Sequence, residues 1–155
     1  MEININVNKI SVYDEVAKTT SYIGAKMGQE GAYQRIFTSD EDRTMLERFW
    51  VETAATATEM LKEYAVMVNQ NESGAYDLEN DYDVTLDMPS NYDNTQTSSI
   101  INSMYNYFVA SILTKWFKIV NKEEAEAYAI DATAMLNDVK SKLYNRTRPK
   151  RPNYD

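Results

Sequence analysis

A mainly α-helical fold is predicted: a small bundle of about four helices with a short amino-terminal strand and a β-hairpin-like insertion. Three observations predict it. Apolar residues recur at three- and four-residue steps through long windows at 46–68, 101–119 and 128–143. Cap-forming sequences stand ahead of two of them, at Thr38-Ser-Asp-Glu41 and at Asn121 with Glu124. Alternation with period two, the mark of a half-buried strand, is confined to residues 3–7 and 82–88.

Each element follows from these patterns. Ile3, Ile5 and Val7 alternate with Asn4, Asn6 and Asn8, which gives a brief strand suited to a sheet edge. Ser11 followed by Asp14 resembles an N-cap, and Val12, Val16, Ile23 and Met27 continue a first helix that weakens at Thr19, Thr20, Ser21 and Gly24. Gly28 and Gly31 flank a turn, and Tyr33, Ile36 and Phe37 read as a packed loop. The capping box predicts a second helix starting at 39 or 40, its acids at the positive end of the macrodipole. Leu46, Trp50, Ala57, Leu61, Tyr64 and Val68, joined by Met45, Phe49 and Met60, carry that helix to about Val68.

Residues 69–97 are rich in Asn, Asp, Ser and Tyr and read as an insertion, with Tyr82, Val84, Leu86 and Met88 as its strand. A third helix spans about 98–120 through Ile101, Met104, Tyr105, Phe108, Ile112, Trp116 and Ile119. A fourth, carried by Tyr128, Ala132, Met135, Val139 and Leu143, ends near Tyr144. The two or three residues between them require an antiparallel or sharply bent pair. The expected core includes Leu46, Trp50, Leu61, Phe108, Trp116 and Met135. The domain reading is a helical body over 1–144, interrupted by the insertion 69–97, and an extended basic arm over 145–155.

Composition narrows the functional classes. At 155 residues and 43% hydrophobic content, one domain buries about 70% of its unfolded surface and folds without a staple. The sequence has neither cysteine nor histidine, which removes thiol chemistry, His-based triads, Glu-x-x-His di-iron motifs and most zinc hydrolases. A non-enzymatic role without catalytic residues, metal or cofactor is expected. No apolar run reaches membrane-spanning length, and the opening Met1-Glu-Ile-Asn lacks the basic start of a signal peptide, so no membrane association is expected.

Charge is unevenly distributed. The chain carries −8 overall, yet residues 140–155 hold six Lys and Arg against one acid; subtracting that segment's +5 leaves −13 for residues 1–139. An acidic body does not grip nucleic acid broadly, because duplex binding depends on clustered cations. The prolines of Arg146-Thr-Arg-Pro-Lys-Arg-Pro152 prevent a helix, and the segment has too little apolar surface to fold alone. Arg146, Arg148, Lys150 and Arg151 are therefore candidate partner contacts, through bidentate pairing with phosphate or with acids. Given the acidic body, a protein partner, including an identical subunit, is favoured over DNA.

Among the twelve tyrosines, Tyr105 and Tyr128 belong with Phe108 and Trp116 in the core. Tyr76, Tyr82, Tyr92, Tyr144 and Tyr154, in loops or near ends, are read as contact residues, with Tyr82, Tyr92 and Tyr154 the leading candidates. Asp77, Glu79, Asp81 and Asp83 place hard oxygen ligands close together. A calcium loop needs Gly sixth and Glu twelfth, where this chain has Tyr82 and Met88, so a solvated acidic loop is the better reading. Glu47, Glu52, Glu59 and Glu63, interleaved with Arg43, Arg48 and Lys62, read as the polar face of the second helix.

Thr38-Ser-Asp-Glu-Asp-Arg-Thr-Met-Leu-Glu-Arg-Phe-Trp50 and Lys142-Leu-Tyr-Asn-Arg-Thr-Arg-Pro-Lys-Arg-Pro152, around the helix pair and insertion, resemble the head-to-tail connector proteins of tailed bacteriophages. The first is similar to the acidic opening of that family's first long helix. With Tyr13-Asp-Glu-Val-Ala-Lys18, the closing run looks most like connectors from phages of gut Bacteroidales, including the crAss-like group. The resemblance implies a virion protein, assembled in the bacterial host cytoplasm as a ring of identical subunits beneath the portal. Its neighbours would be the portal and other connector or tail proteins, with packaged DNA passing through unbound. The long acidic insertion and the amino-terminal strand depart from the shorter connectors. The alternative is an acidic binding module or regulator of phage or mobile-element origin, acting as a monomer or dimer on a basic partner.

Overall fold

The computed structural model describes residues 1–27, 31–68 and 81–149, apart from the side chain of Arg35. The chain is mainly helical, and its described residues form five helices, four of them substantial, and a three-stranded antiparallel sheet. The strands are β1 (Glu2–Val7), β2 (Ala65–Val68) and β3 (Tyr82–Asp87), in the order β1-β3-β2. The helices are α1 (Lys9–Lys26), α2 (Ala32–Ile36), α3 (Arg43–Leu61), α4 (Thr97–Val120) and α5 (Lys122–Leu143).

The alternation at 3–7 sets the register. Ile3, Ile5 and Val7 pair with Leu86, Val84 and Tyr82, and all six side chains are buried on one face. A one-residue slip of β1 would turn its apolar row outward, so burial itself specifies the pairing. Because β3 is the central strand, the strand expected within the insertion is built into the sheet.

Helix α1 is capped by Asn8, not by Ser11. The Asn8 carboxamide oxygen accepts the Ser11 N–H at 2.8 Å, and Asp81, just ahead of β3, accepts the Lys9 N–H at 2.9 Å. Two orphan donors at the helix start are thus satisfied, one by the strand that pairs with β1. The expected loop at 33–37 contains α2, a helix of five residues, too short to show a period. Gly31 opens it at φ 76°, a left-handed conformation that favours glycine. Gly24 allows the close crossing of α1 and α2: a Cβ there would lie 3.0 Å from the Tyr33 Cα.

The second long helix differs at both ends. Its capping box joins Ser39 and Asp42 around a 3-10 turn at Asp40–Asp42, and α3 starts at Arg43. Thr38 is buried instead, its N–H donating to the Thr20 hydroxyl at 3.1 Å. At the far end α3 stops at Leu61, and residues 65–68 form β2 against β3 rather than two further helical turns. Tertiary pairing overrides the local period here: Ala65, Met67 and β-branched Val68 pair with Leu86, Thr85 and Val84, with an irregularity in register between Ala65 and Met67.

Helix α4 is the central element, packed on α1, α2, α3, α5 and β1. Pairs such as Ser103 with Asp138 and Phe117 with Tyr128 show that α4 and α5 run antiparallel, as the short connection required. Asn121 caps α5 by accepting the Glu123 N–H at 3.3 Å. Leu46, Trp50, Leu61, Phe108 and Trp116 are buried, and Met135 packs half-buried against them. Ile119, counted in the apolar stripe of this helix, is exposed. At the centre, Phe108 touches Trp50 and Tyr82 at ring-centroid distances of 4.7 and 5.2 Å. The Trp116 indole N–H donates to the Ile36 carbonyl at 2.8 Å, tying α4 to the end of α2.

Candidate subunit interface

The basic segment begins on a fixed root. After α5 the chain extends alongside the loop before α4: Arg146 forms an antiparallel bridge with Tyr92, the Thr147 N–H donates to the Asn91 carbonyl at 2.8 Å, and the Asp93 N–H donates to the Asn145 carbonyl at 3.3 Å. Arg148 precedes Pro149, which favours extended backbone at that position. The Arg146 guanidinium turns back and donates to the Leu143 carbonyl at 2.7 Å and the Asn145 carbonyl at 3.1 Å. A cation on the orphan carbonyls of a helix end also opposes the negative pole of the macrodipole.

The expected contact residues therefore divide. Arg146 is engaged with its own chain, and Arg148 is exposed next to it. Lys150, Arg151 and Tyr154 lie outside the described residues, as do Tyr76, Asp77 and Glu79. Tyr82 and Tyr92 are corrections: both are buried core residues, not surface contacts. Tyr82 shares the inward face of β3 with Val84 and Leu86, and its hydroxyl meets Thr58 at 2.9 Å. Tyr92 is the buried partner of the Arg146 bridge, its hydroxyl 3.1 Å from Thr97. Tyr144 remains exposed, donating to Glu63 at 3.0 Å with its ring edge against Tyr64.

The carboxylates of α3 meet cations or donors. Glu52 contacts Arg48 at 3.3 Å and Lys115 at 3.2 Å, Glu59 contacts Lys62 at 2.7 Å, and Glu47 pairs with Arg43 and Lys9. The bond from Lys115 is the main reason the Glu52 carboxyl is held below its ordinary range. Lys9 is buried, with its ammonium 5.8 Å from the ring centroids of both Tyr13 and Trp50. Paired with Glu47, it is a structural cation that joins α1 to α3. Asp83 accepts from Asn4 at 2.6 Å across the sheet, and Asp81 caps α1, so these two acids have structural partners.

Ser103, Asp138 and Lys142 form a polar cluster between α4 and α5. Asp138 accepts from Ser103 at 2.6 Å and from Lys142 at 2.5 Å, and Lys142 also donates to the Ser103 hydroxyl at 3.2 Å. The Lys142 bond, with that of Ser103, keeps the carboxyl below its usual range. An ionised carboxylate held by two donors is a clamp between helices. Among the described residues no group of three or more His, Cys, Asp or Glu is placed to hold a metal, and no helix is long and apolar enough to cross a membrane.

Sequence reasoning missed the exposed apolar residues of β2, Val66 and Met67, because it assigned them to a helix. The run Ala-Val-Met-Val is compatible with a short strand, but only its pairing with β3 identifies it. Compared with known proteins, the chain matches no family model, no curated protein and no solved structure at a significant level.

Proposed function

We propose that this chain is a non-catalytic structural subunit of a phage head-to-tail connector ring, joining the portal to the tail and lining the DNA exit channel in the virion. The observation that carries the reading is the rooted basic segment. A body of net charge −13 presents, at an exposed and internally fastened point, an Arg/Pro sequence of opposite charge. A ring subunit needs a rigid body and a segment that reaches a neighbour, and a head-to-tail contact of this kind closes when its rotation closes. The sequence resemblance and the firmly packed α4–α5 hairpin support the same role. Identical subunits, the portal and adjacent connector or tail proteins are the partners. No cofactor is needed.

The acidic body suits a conduit, because negative walls repel phosphates and allow packaged DNA to pass without sticking. Electron microscopy of the particle or of the purified assembly tests the proposal: a closed ring on the portal axis is expected. A protein that stays monomeric, is missing from virions and sequesters a basic partner would instead establish the regulator alternative. An outward-facing acidic surface around a basic lumen would refute the conduit role while leaving the ring intact.

A further inference from the structure

Helices α1 and α5 each pack on α4 and leave a channel between them, a groove of about 390 Å³. Its floor is the stripe Tyr105, Val109 and Leu113, one turn apart along α4. Glu15 stands on the α1 wall, and Tyr128 and Asp131 on the α5 wall. The two aromatic side chains are held in place. Tyr105 donates to the Ser11 carbonyl at 3.1 Å, and Tyr128 stacks on Phe117 at 5.4 Å with a 9° interplanar angle. Burial makes ionisation of both phenols harder, and the nearby carboxylates add to it, Glu15 and Asp14 at Tyr105 and Glu124 and Asp131 at Tyr128. The residues lining the groove include no Lys or Arg.

A fixed, aromatic-walled channel rimmed by carboxylates selects a ligand that is extended, proline-bearing and cationic. This chain carries such a sequence. Pro149-Lys-Arg-Pro152 is a Pro-x-x-Pro element flanked by Arg148 and followed by Tyr154, and spaced prolines favour the polyproline II conformation, which costs little entropy to dock. The length also matches: six residues beyond Pro149 reach about 20 Å when extended, and the floor from Tyr105 to Leu113 is about 12 Å long. Resting on the connector reading above, we infer that the groove between α1 and α5 receives the Pro149–Asp155 segment of a second copy. Pro149 and Pro152 lie against Tyr105 and Tyr128, and Lys150 and Arg151 meet Glu15 and Asp131. Each subunit then gives one arm and accepts one, a heterologous contact able to propagate around a ring.

A charge exchange in the full chain tests this. Glu15→Lys with Asp131→Lys alters only exposed side chains, and circular dichroism melts establish that the variant folds. Lys150→Glu with Arg151→Glu is its counterpart. By sedimentation velocity, each double variant is expected to lose self-association, and an equimolar mixture to regain it, because each reversed groove meets a reversed arm. In parallel, a peptide of residues 147–155 titrated onto the wild-type protein should shift the ring resonances of Tyr105 and Tyr128. Its affinity should fall at least tenfold on the Glu15/Asp131 variant.

Wild-type self-association in the groove variant, or a peptide that leaves both tyrosines unmoved, overturns the inference; the second holds even when the free protein is monomeric. If the arm variant fails to assemble and the groove variant assembles normally, the arm binds elsewhere, so the groove is wrong and the connector reading survives. Groove protection that is independent of concentration in a monomer would mean that the arm folds onto its own body, which also overturns it.

Discussion

Trp116 offers the most informative single perturbation of the fold. Its side chain is only 6% exposed, and its indole N–H supplies a donor to the Ile36 carbonyl at the last residue of α2. That carbonyl has no partner within so short a helix, so the indole satisfies an orphan group and also fills the space between α4 and α2. Replacement by Ala removes both contributions. Cavity formation at a buried Trp costs about 3–5 kcal/mol, and an unsatisfied buried carbonyl adds up to about 1–3 kcal/mol where water does not fill the cavity. Replacement by Phe keeps most of the packed volume and removes only the donor, so it should cost about 1–3 kcal/mol.

Urea unfolding followed by far-ultraviolet circular dichroism, which avoids the loss of a fluorophore, measures both. The midpoint should fall in the order wild type, Phe, Ala with a constant m value, because the surface exposed on unfolding is nearly unchanged. A loss below about 1 kcal/mol for Trp116→Ala, well short of a core cavity, would refute the reasoning and return the side chain to the surface.

Three further outcomes follow from the geometry. Gly24→Ala should destabilise by about 1–3 kcal/mol, as overpacking does, since the new methyl meets the Tyr33 backbone; equal or higher thermal stability would show that α2 can withdraw without cost. The carboxyls of Asp138 and Glu52 are lowered in the folded state by their lysine partners. Their stabilisation is complete above the unfolded pKa, near pH 4, and is lost as pH falls through the lower folded values. Both are near the surface, so solvent screening keeps the effect small. Asp138→Asn should make the fall of the urea midpoint between pH 6 and pH 3 shallower, and an unchanged slope would contradict the clamp. Removing residues 150–155 should shift stability by less than about 0.5 kcal/mol, the usual range for surface changes, and abolish assembly. A truncated protein that still assembles would exclude the arm from the subunit contact.

The origin of Tyr82 in the core was present in the sequence. Its alternation with Val84, Leu86 and Met88 places it on the same face as those residues, and that face is the buried one. Composition misled, because a tyrosine in an Asn- and Asp-rich stretch reads as a loop residue. Tyr92 gave no such signal: its burial follows from the bridge to Arg146, fifty-four positions later in the chain. The groove was also hidden, although Tyr105, Val109 and Leu113 share one side of a readable helix. Nothing in the period of α4 says that α1 and α5 flank that side without closing over it.

The sequence by itself determined that four long helices form, the main apolar stripe that each turns inward, that α4 and α5 turn back on one another, and that a basic tail follows an acidic body. These properties are local, since caps act within one turn and periodicity repeats every three or four residues. Only the tertiary structure decided that Ala65–Val68 leaves the helical path to become a strand, that β3 is the central strand, and that the basic segment begins on a fixed root. Each of those outcomes depends on hydrogen-bond partners far away in the chain, and an apolar run too short to show its own period takes the conformation those partners stabilise.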